Sequence, residues 1–120
     1  MKLSILTLLL TCWITISLQA QTPAIVAADW SITLPEGSVS SAYTIDISSM
    51  GFPKEKAVQL FCSSASDNYF TFLSDYDHHS IIIRPVLHQG TMGWTIANWN
   101  ARLVMNRQRF VNAFEKCQNF

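Results

Sequence analysis

Asp75, Asp77, His78 and His79 place two carboxylates and two imidazoles within five residues, the densest group of ligand-type side chains in the chain. Imidazole and carboxylate together suit Zn²⁺, Cu²⁺ or Ni²⁺. The same residues are also what a turn asks for, because Asp bonds readily to nearby backbone and neighbouring side chains of an extended segment point opposite ways. His88 lies nine residues beyond His79, and a strand between them would hold the two about 30 Å apart. A metal site here would rest on Asp75, Asp77 and one of His78 or His79, with a plain exposed turn as the alternative.

Two other pairs carry chemistry. Cys62 and Cys117 both fall on the apolar side of helical patterns. In an oxidising compartment a bridge between them would close a loop of about 55 residues and contribute roughly 4 kcal/mol. Left reduced, they would act as small buried apolar groups. Trp94 and Trp99, in the stretch GWTIANWN, could form an aromatic contact surface with Asn98 and Asn100 as hydrogen-bonding partners. The alternative is that both rings anchor a helix to the core. The chain has no Gly-x-Ser-x-Gly elbow, His-Glu-x-x-His helix, phosphate-cradling glycine loop or Cys-x-x-Cys pair. A non-enzymatic protein without a cofactor is the reading that follows.

These residues need elements to hold them. Tyr69 to His88 reads as a hairpin, with aromatic and β-branched residues along both arms and Asp75 to His79 between them. Pro85 donates no hydrogen bond, so either its arm lies at an edge or pairing stops near it. Before the hairpin, Tyr43, Ile45 and Ile47 alternate with polar or small residues as a strand. Pro53 suits the first position of a helix whose apolar residues Ala57, Val58, Phe61, Cys62 and Ala65 share one side. After Gly90-Thr91-Met92-Gly93, Thr95 is placed to cap a long helix carrying Ile96, Trp99, Leu103, Phe110, Phe114 and Cys117 on its inner face. Arg102, Arg109 and Lys116 form a seven-residue stripe that reads as solvated surface, and Asn106-Arg107-Gln108 is a candidate bend.

Trp30, Ile32 and Leu34 give a weaker strand upstream, preceded by a loose leader over residues 21–29. The expectation is an α+β fold: a small, mostly antiparallel sheet of three or four strands with two helices on one face. The order strand, helix, strand, strand, helix resembles the ferredoxin-like βαββα arrangement, with the N-terminal strand available to replace the missing last one. It also resembles the heavy-metal-associated domains. That likeness implies a Cys-x-x-Cys pair before the first helix, where this chain has Ser49-Met50-Gly51-Phe52-Pro53 and no thiol. The resemblance is topological and implies no metal function.

The first twenty residues are built as a secretory signal peptide: Met1 and Lys2, an apolar run from Leu3 to Ile16, and a small residue, Ala20, at the expected cleavage point. A membrane anchor would need a longer run, and a lipoprotein would acylate Cys12 after Leu9-Leu10-Thr11. Removing residues 1–20 leaves seven basic and eight acidic side chains, a balance that offers no field for nucleic acid or an anionic membrane. Charged residues at 13% and aromatic residues at 12% argue for a packed domain over residues 21–120. The sequence therefore predicts a secreted or periplasmic binding or protein-interaction module. Its expected partner is another protein of the envelope or exterior, and no membrane span remains after cleavage. The alternatives are a metal-handling protein using the Asp75 to His79 turn, and a small hydrolase or hydrolase inhibitor.

Overall fold

The hairpin forms one half of the main sheet, with its return arm inside and its first arm at an edge. In this computed structural model, which describes residues 21–119, eight elements follow in chain order. They are β1 (Thr22–Pro23), β2 (Ile25–Val26), β3 (Ile32–Thr33), β4 (Tyr43–Asp46), α1 (Glu55–Ala65), β5 (Phe70–Asp75), β6 (Ser80–Pro85) and α2 (Ile96–Cys117). The expected signal peptide, with Lys2 and Cys12, lies outside the described residues. The fold is α+β, with a mixed four-stranded sheet in the order β1-β4-β6-β5 and a separate two-stranded sheet of β2 and β3.

The period-two pattern of the hairpin fixes which face is buried. Phe70 and Phe72 of β5, Ile81 and Ile83 of β6, and Tyr43 and Ile45 of β4 line one face, and all are within the core. The other face carries Leu73, Ile82 and Thr44 in one cross-strand row, with Leu73 37% exposed. Pro85 sits where the β4 ladder has already ended, its last pair being Tyr43 with Ile83. The Val86 N–H bonds the Tyr69 carbonyl at 2.8 Å, so the Pro85 nitrogen one residue earlier faces the unpaired side.

Both helices pack on the Phe70 and Phe72 side. Phe61 of α1 meets Phe72, while Trp99 and Phe110 of α2 meet Phe70 and Phe72. Each fully buried Phe or Ile contributes roughly 1.5–3 kcal/mol through removal of apolar surface from water. The helix α1 begins at Glu55 behind Lys54, so Pro53 stands just outside it rather than at its first position. The candidate bend in α2 is not realised. The helix runs unbroken because Asn106, Arg107 and Arg109 find partners on neighbouring segments: Asp67, the Asp29 carbonyl, and Asp67 with the Ala65 carbonyl.

The N-terminal stretch departs most from expectation. Residues 21–29 are not a loose leader, since β1 lies parallel to β4 and β2 pairs antiparallel with β3. The edge position beside β4 is therefore held by β1, and the Ile32 strand sits in the smaller sheet. Trp30 lies in the turn between β2 and β3, with its backbone in the left-handed region at φ 65°. That conformation costs an ordinary residue on the order of 1–2 kcal/mol. Here it is offset by the indole, which is buried against Phe52, Phe61 and Phe114 at 6.0, 4.4 and 5.5 Å between ring centroids.

Candidate functional site

The Asp75 to His79 turn is a tight local structure. Tyr76–His78 make one 3-10 turn, and His79 closes it in the left-handed region at φ 50°, its N–H bonding the Tyr76 carbonyl at 2.9 Å. Asp75 Oδ1 lies 2.9 Å from His78 Nδ1. The hydrogen bond to Asp75 and then its charge, with a smaller contribution from the Asp77 charge, push the His78 pKa upward against the opposing effect of desolvation. Among the described residues no three His, Cys, Asp or Glu side chains gather as metal ligands. The structure thus joins Asp75 to His78 and does not bring Asp77 and His79 into a set with them. His79 instead packs near the Tyr76 ring, with centroids 6.2 Å apart.

Cys62 and Cys117 are both buried, and both are free thiols. Burial pushes the Cys62 thiol up to about 12, with the nearby Cys117 adding to the shift, and burial also raises Cys117. A thiol as far from ionisation as Cys62 is a poor nucleophile. The α1 and α2 helices do bring the pair into each other's electrostatic reach.

The chemistry that opens to solvent lies at the other end of α2. The segment from Val86 to Trp94 leaves the hairpin, passes through a 3-10 turn at Gln89–Thr91 and enters α2 behind Thr95. Thr91 organises it from inside. Its buried hydroxyl donates to the Val86 carbonyl at 3.1 Å and accepts the His88 N–H at 3.1 Å. His88 Nδ1 accepts the Gly90 N–H at 3.0 Å, which leaves Nε2 to carry the proton of the neutral ring. A Cβ at position 90 would come within 2.9 Å of the His88 ring, so a larger residue there would displace that side chain.

Beside this loop is a cavity of about 670 Å³, lined chiefly by Val39, Leu87, His88, Met92, Trp94 and Trp99. Leu87 and Met92 are each 80% exposed, whereas Trp99 is 1% exposed. Trp94 meets Trp99 edge to face at 4.7 Å and stacks on Tyr69 at 5.4 Å and 10°. A smaller cavity of about 270 Å³ is lined by Tyr69, Trp94 and Arg102, and there Arg102 lies 3.9 Å over the Tyr69 ring. Trp94 is common to both.

Of the aromatic contact surface expected from sequence, Trp94 and Trp99 are therefore brought together at a cavity. Asn98 and Asn100 are both engaged within the chain, Asn98 at the exposed start of α2 and Asn100 partly buried. Asn98 Oδ1 accepts from the Thr95 N–H and hydroxyl at 2.9 and 3.0 Å, completing the helix cap. Asn100 clamps Leu34 by accepting its N–H at 2.8 Å and donating to its carbonyl at 3.1 Å. The arginine stripe is likewise not simple solvated surface: Arg109 pairs with Asp67 at 3.0 Å and Arg102 stacks on Tyr69. Sequence reasoning missed Tyr69, Leu87, Met92 and Arg102 as neighbours of the tryptophans. The available signal was the crowding of Trp94, Met92 and Leu87 around a glycine-bounded loop. No known protein family, curated protein or solved structure matches the chain.

Proposed function

We propose that this chain is a small exported, non-enzymatic binding module of the cell envelope or extracellular space. In this reading it recognises another protein there through the cavity beside the Val86 to Trp94 loop. The observation that carries it is the pair of exposed side chains, Leu87 and Met92, at an apolar cavity that also contains Trp94 and Trp99. Exposed apolar groups around a tryptophan-lined cavity are the usual make-up of a recognition site, and the volume lies in the range of ligand pockets. The rigid loop, tied by Thr91 and His88, lowers the ordering cost of binding.

Export is proposed from the Met1 to Ala20 pattern, and the mature chain would then begin at Gln21. The mass of the protein recovered from the envelope or medium tests this; a chain retaining residues 1–20 in the cytoplasm would overturn it. A Cys62 to Cys117 bridge in that compartment is part of the same proposal, motivated by the burial of both thiols on the helices α1 and α2. Two alkylatable thiols in the secreted protein would refute it. The β4-α1-β5-β6-α2 order is read as a ferredoxin-like split βαβ unit with β1 in the place of the last strand.

The binding reading is tested by crosslinking in the native envelope, comparing the wild-type chain with a Leu87→Asp, Met92→Asp double variant. Both side chains are exposed, so the variant should fold normally and lose the crosslinked partner. Recovery of the same partner by both proteins would sink the assignment to this cavity.

A further inference from the structure

Resting on that reading, the arrangement around Trp94 narrows the chemistry of what is recognised. Arg102 is the exception among the arginines of α2. Arg107 donates to the Asp29 carbonyl at 2.9 Å, and Arg109 bonds both the Ala65 carbonyl at 2.9 Å and Asp67 at 3.0 Å. Arg102 makes no hydrogen bond and no ion pair among the described residues; its buried Nε, like that of Arg109, is without a partner, but Arg109 has its terminal nitrogen engaged and Arg102 does not. A guanidinium presents five donors in a planar fork suited to a carboxylate. Tyr69 beneath it at 3.9 Å holds that fork in one place, and Trp94, stacked on the same tyrosine, lines both the Arg102 cavity and the larger apolar one.

We infer that the two cavities are halves of one site and that it accepts a peptide segment of the partner in which a bulky apolar residue adjoins a carboxylate. The apolar side chain occupies the larger cavity beside Met92 and Trp99. The carboxylate reaches over Trp94 to the Arg102 fork, satisfying donors the fold leaves unmatched. The preference is set by charge complementarity, since an amide or an amine in the same place would not answer a fixed cation.

Three acetylated tetrapeptides ending in two leucines provide the probes: one with a free terminal carboxylate, one amidated, and one amidated with an aspartate beside the leucines. Binding is followed by NMR of the indole N–H signals in the mature chain. Trp94 and Trp99 report on the site, and Trp30, buried among Phe52, Phe61 and Phe114, reports on the integrity of the fold. A carboxylate on either peptide should strengthen binding about tenfold over the fully amidated one, the size of one charge-assisted hydrogen bond. Which of the two carboxylate peptides gains more separates a chain terminus from an acidic side chain as the natural source.

Arg102→Gln should abolish that gain while leaving the amidated peptide's affinity and the Trp30 signal unchanged, and Arg102→Lys should restore part of it. Equal affinity for all three peptides, or a carboxylate preference that survives Arg102→Gln, would overturn the inference while leaving the apolar cavity as a recognition site. Failure of every peptide to move Trp94 or Trp99 would overturn the inference together with the assignment of this cavity.

Discussion

The two ends of α2 are built from the same materials and come out differently. At the Cys117 end, Trp30, Phe52, Phe61 and Phe114 interlock, with five ring pairs between 4.4 and 6.0 Å. At the Ile96 end, Tyr69, Trp94 and Trp99 pack at similar distances, but solvent-exposed Leu87 and Met92 stand beside them and Trp94 lines two cavities. What separates the two is the covering segment. The β2-β3 hairpin carries Trp30 into the first cluster, while the Val86 to Trp94 loop spends its hydrogen bonds on its own turn. An aromatic cluster becomes core or binding surface according to what its neighbouring loop does, not according to its composition.

The comparison breaks most visibly at Trp30. Trp30→Ala should cost about 3–5 kcal/mol in urea or thermal unfolding, the range for deleting a fully buried aromatic ring. Trp94→Ala should cost only about 1–2 kcal/mol, because a half-buried ring loses little beyond its stacking and edge contacts. Equal costs would mean that the Ile96 end is as closed as the other.

Between the ends, Asp67 links α2 to the start of β5. Its Oδ1 accepts the Tyr69 and Phe70 N–H groups, both at 2.8 Å, and its Oδ2 accepts from Arg109 and Asn106. Burial works to raise the carboxyl pKa, but the Phe70 and Tyr69 N–H groups and Arg109 outweigh it and hold the group below 3.8. A depressed folded pKa gives stability that is fully present above the unfolded value and is lost as pH falls through the folded one. Asp67→Asn should therefore cost about 1.5–3 kcal/mol at neutral pH, as for one hydrogen bond to a charged group. The gap between variant and wild type should close in acid, and a constant gap from pH 7 to pH 2 in denaturant titrations would refute the assignment. The smallest effects are expected at Arg102 and then Leu87. Arg102→Gln should lower stability by about 0.5–1 kcal/mol through its contact with Tyr69, while the exposed Leu87→Asp change should stay within about 0.5 kcal/mol. A larger loss at either position would make that residue part of the core.

Much of the frame was legible because strong periods report burial. The alternation in Phe70 to Phe72 and Ile81 to Ile83, the inner face of α1, and the Thr95 cap of α2 all correspond to what the residues demand locally. Two-residue strands such as β1 carry no period at all, and Pro23 within it argues against a strand, so residues 21–29 read as a leader. The continuity of α2 through Asn106 to Gln108 depends on Asp67 and Asp29, which are distant in sequence. The candidate site was half visible. Trp94 and Trp99 announce themselves by type, whereas Tyr69 and Arg102 join them only through the packing of α2 on the hairpin. The Asp75 to His79 turn was conspicuous for the opposite reason: ligand-type residues are also turn residues, and sequence proximity does not make side chains converge.

Pro23 sits in the outermost strand of the sheet, between the Thr22 and Ala24 N–H groups that bond the Ala42 and Thr44 carbonyls. Its own nitrogen faces outward and has no hydrogen to offer. A strand approaching from that side, whether from another copy of the chain or an aggregating neighbour, meets a row with its central donor deleted. The sheet is thereby guarded against growth along one margin, and β5 is left as the margin at which a further strand could be added.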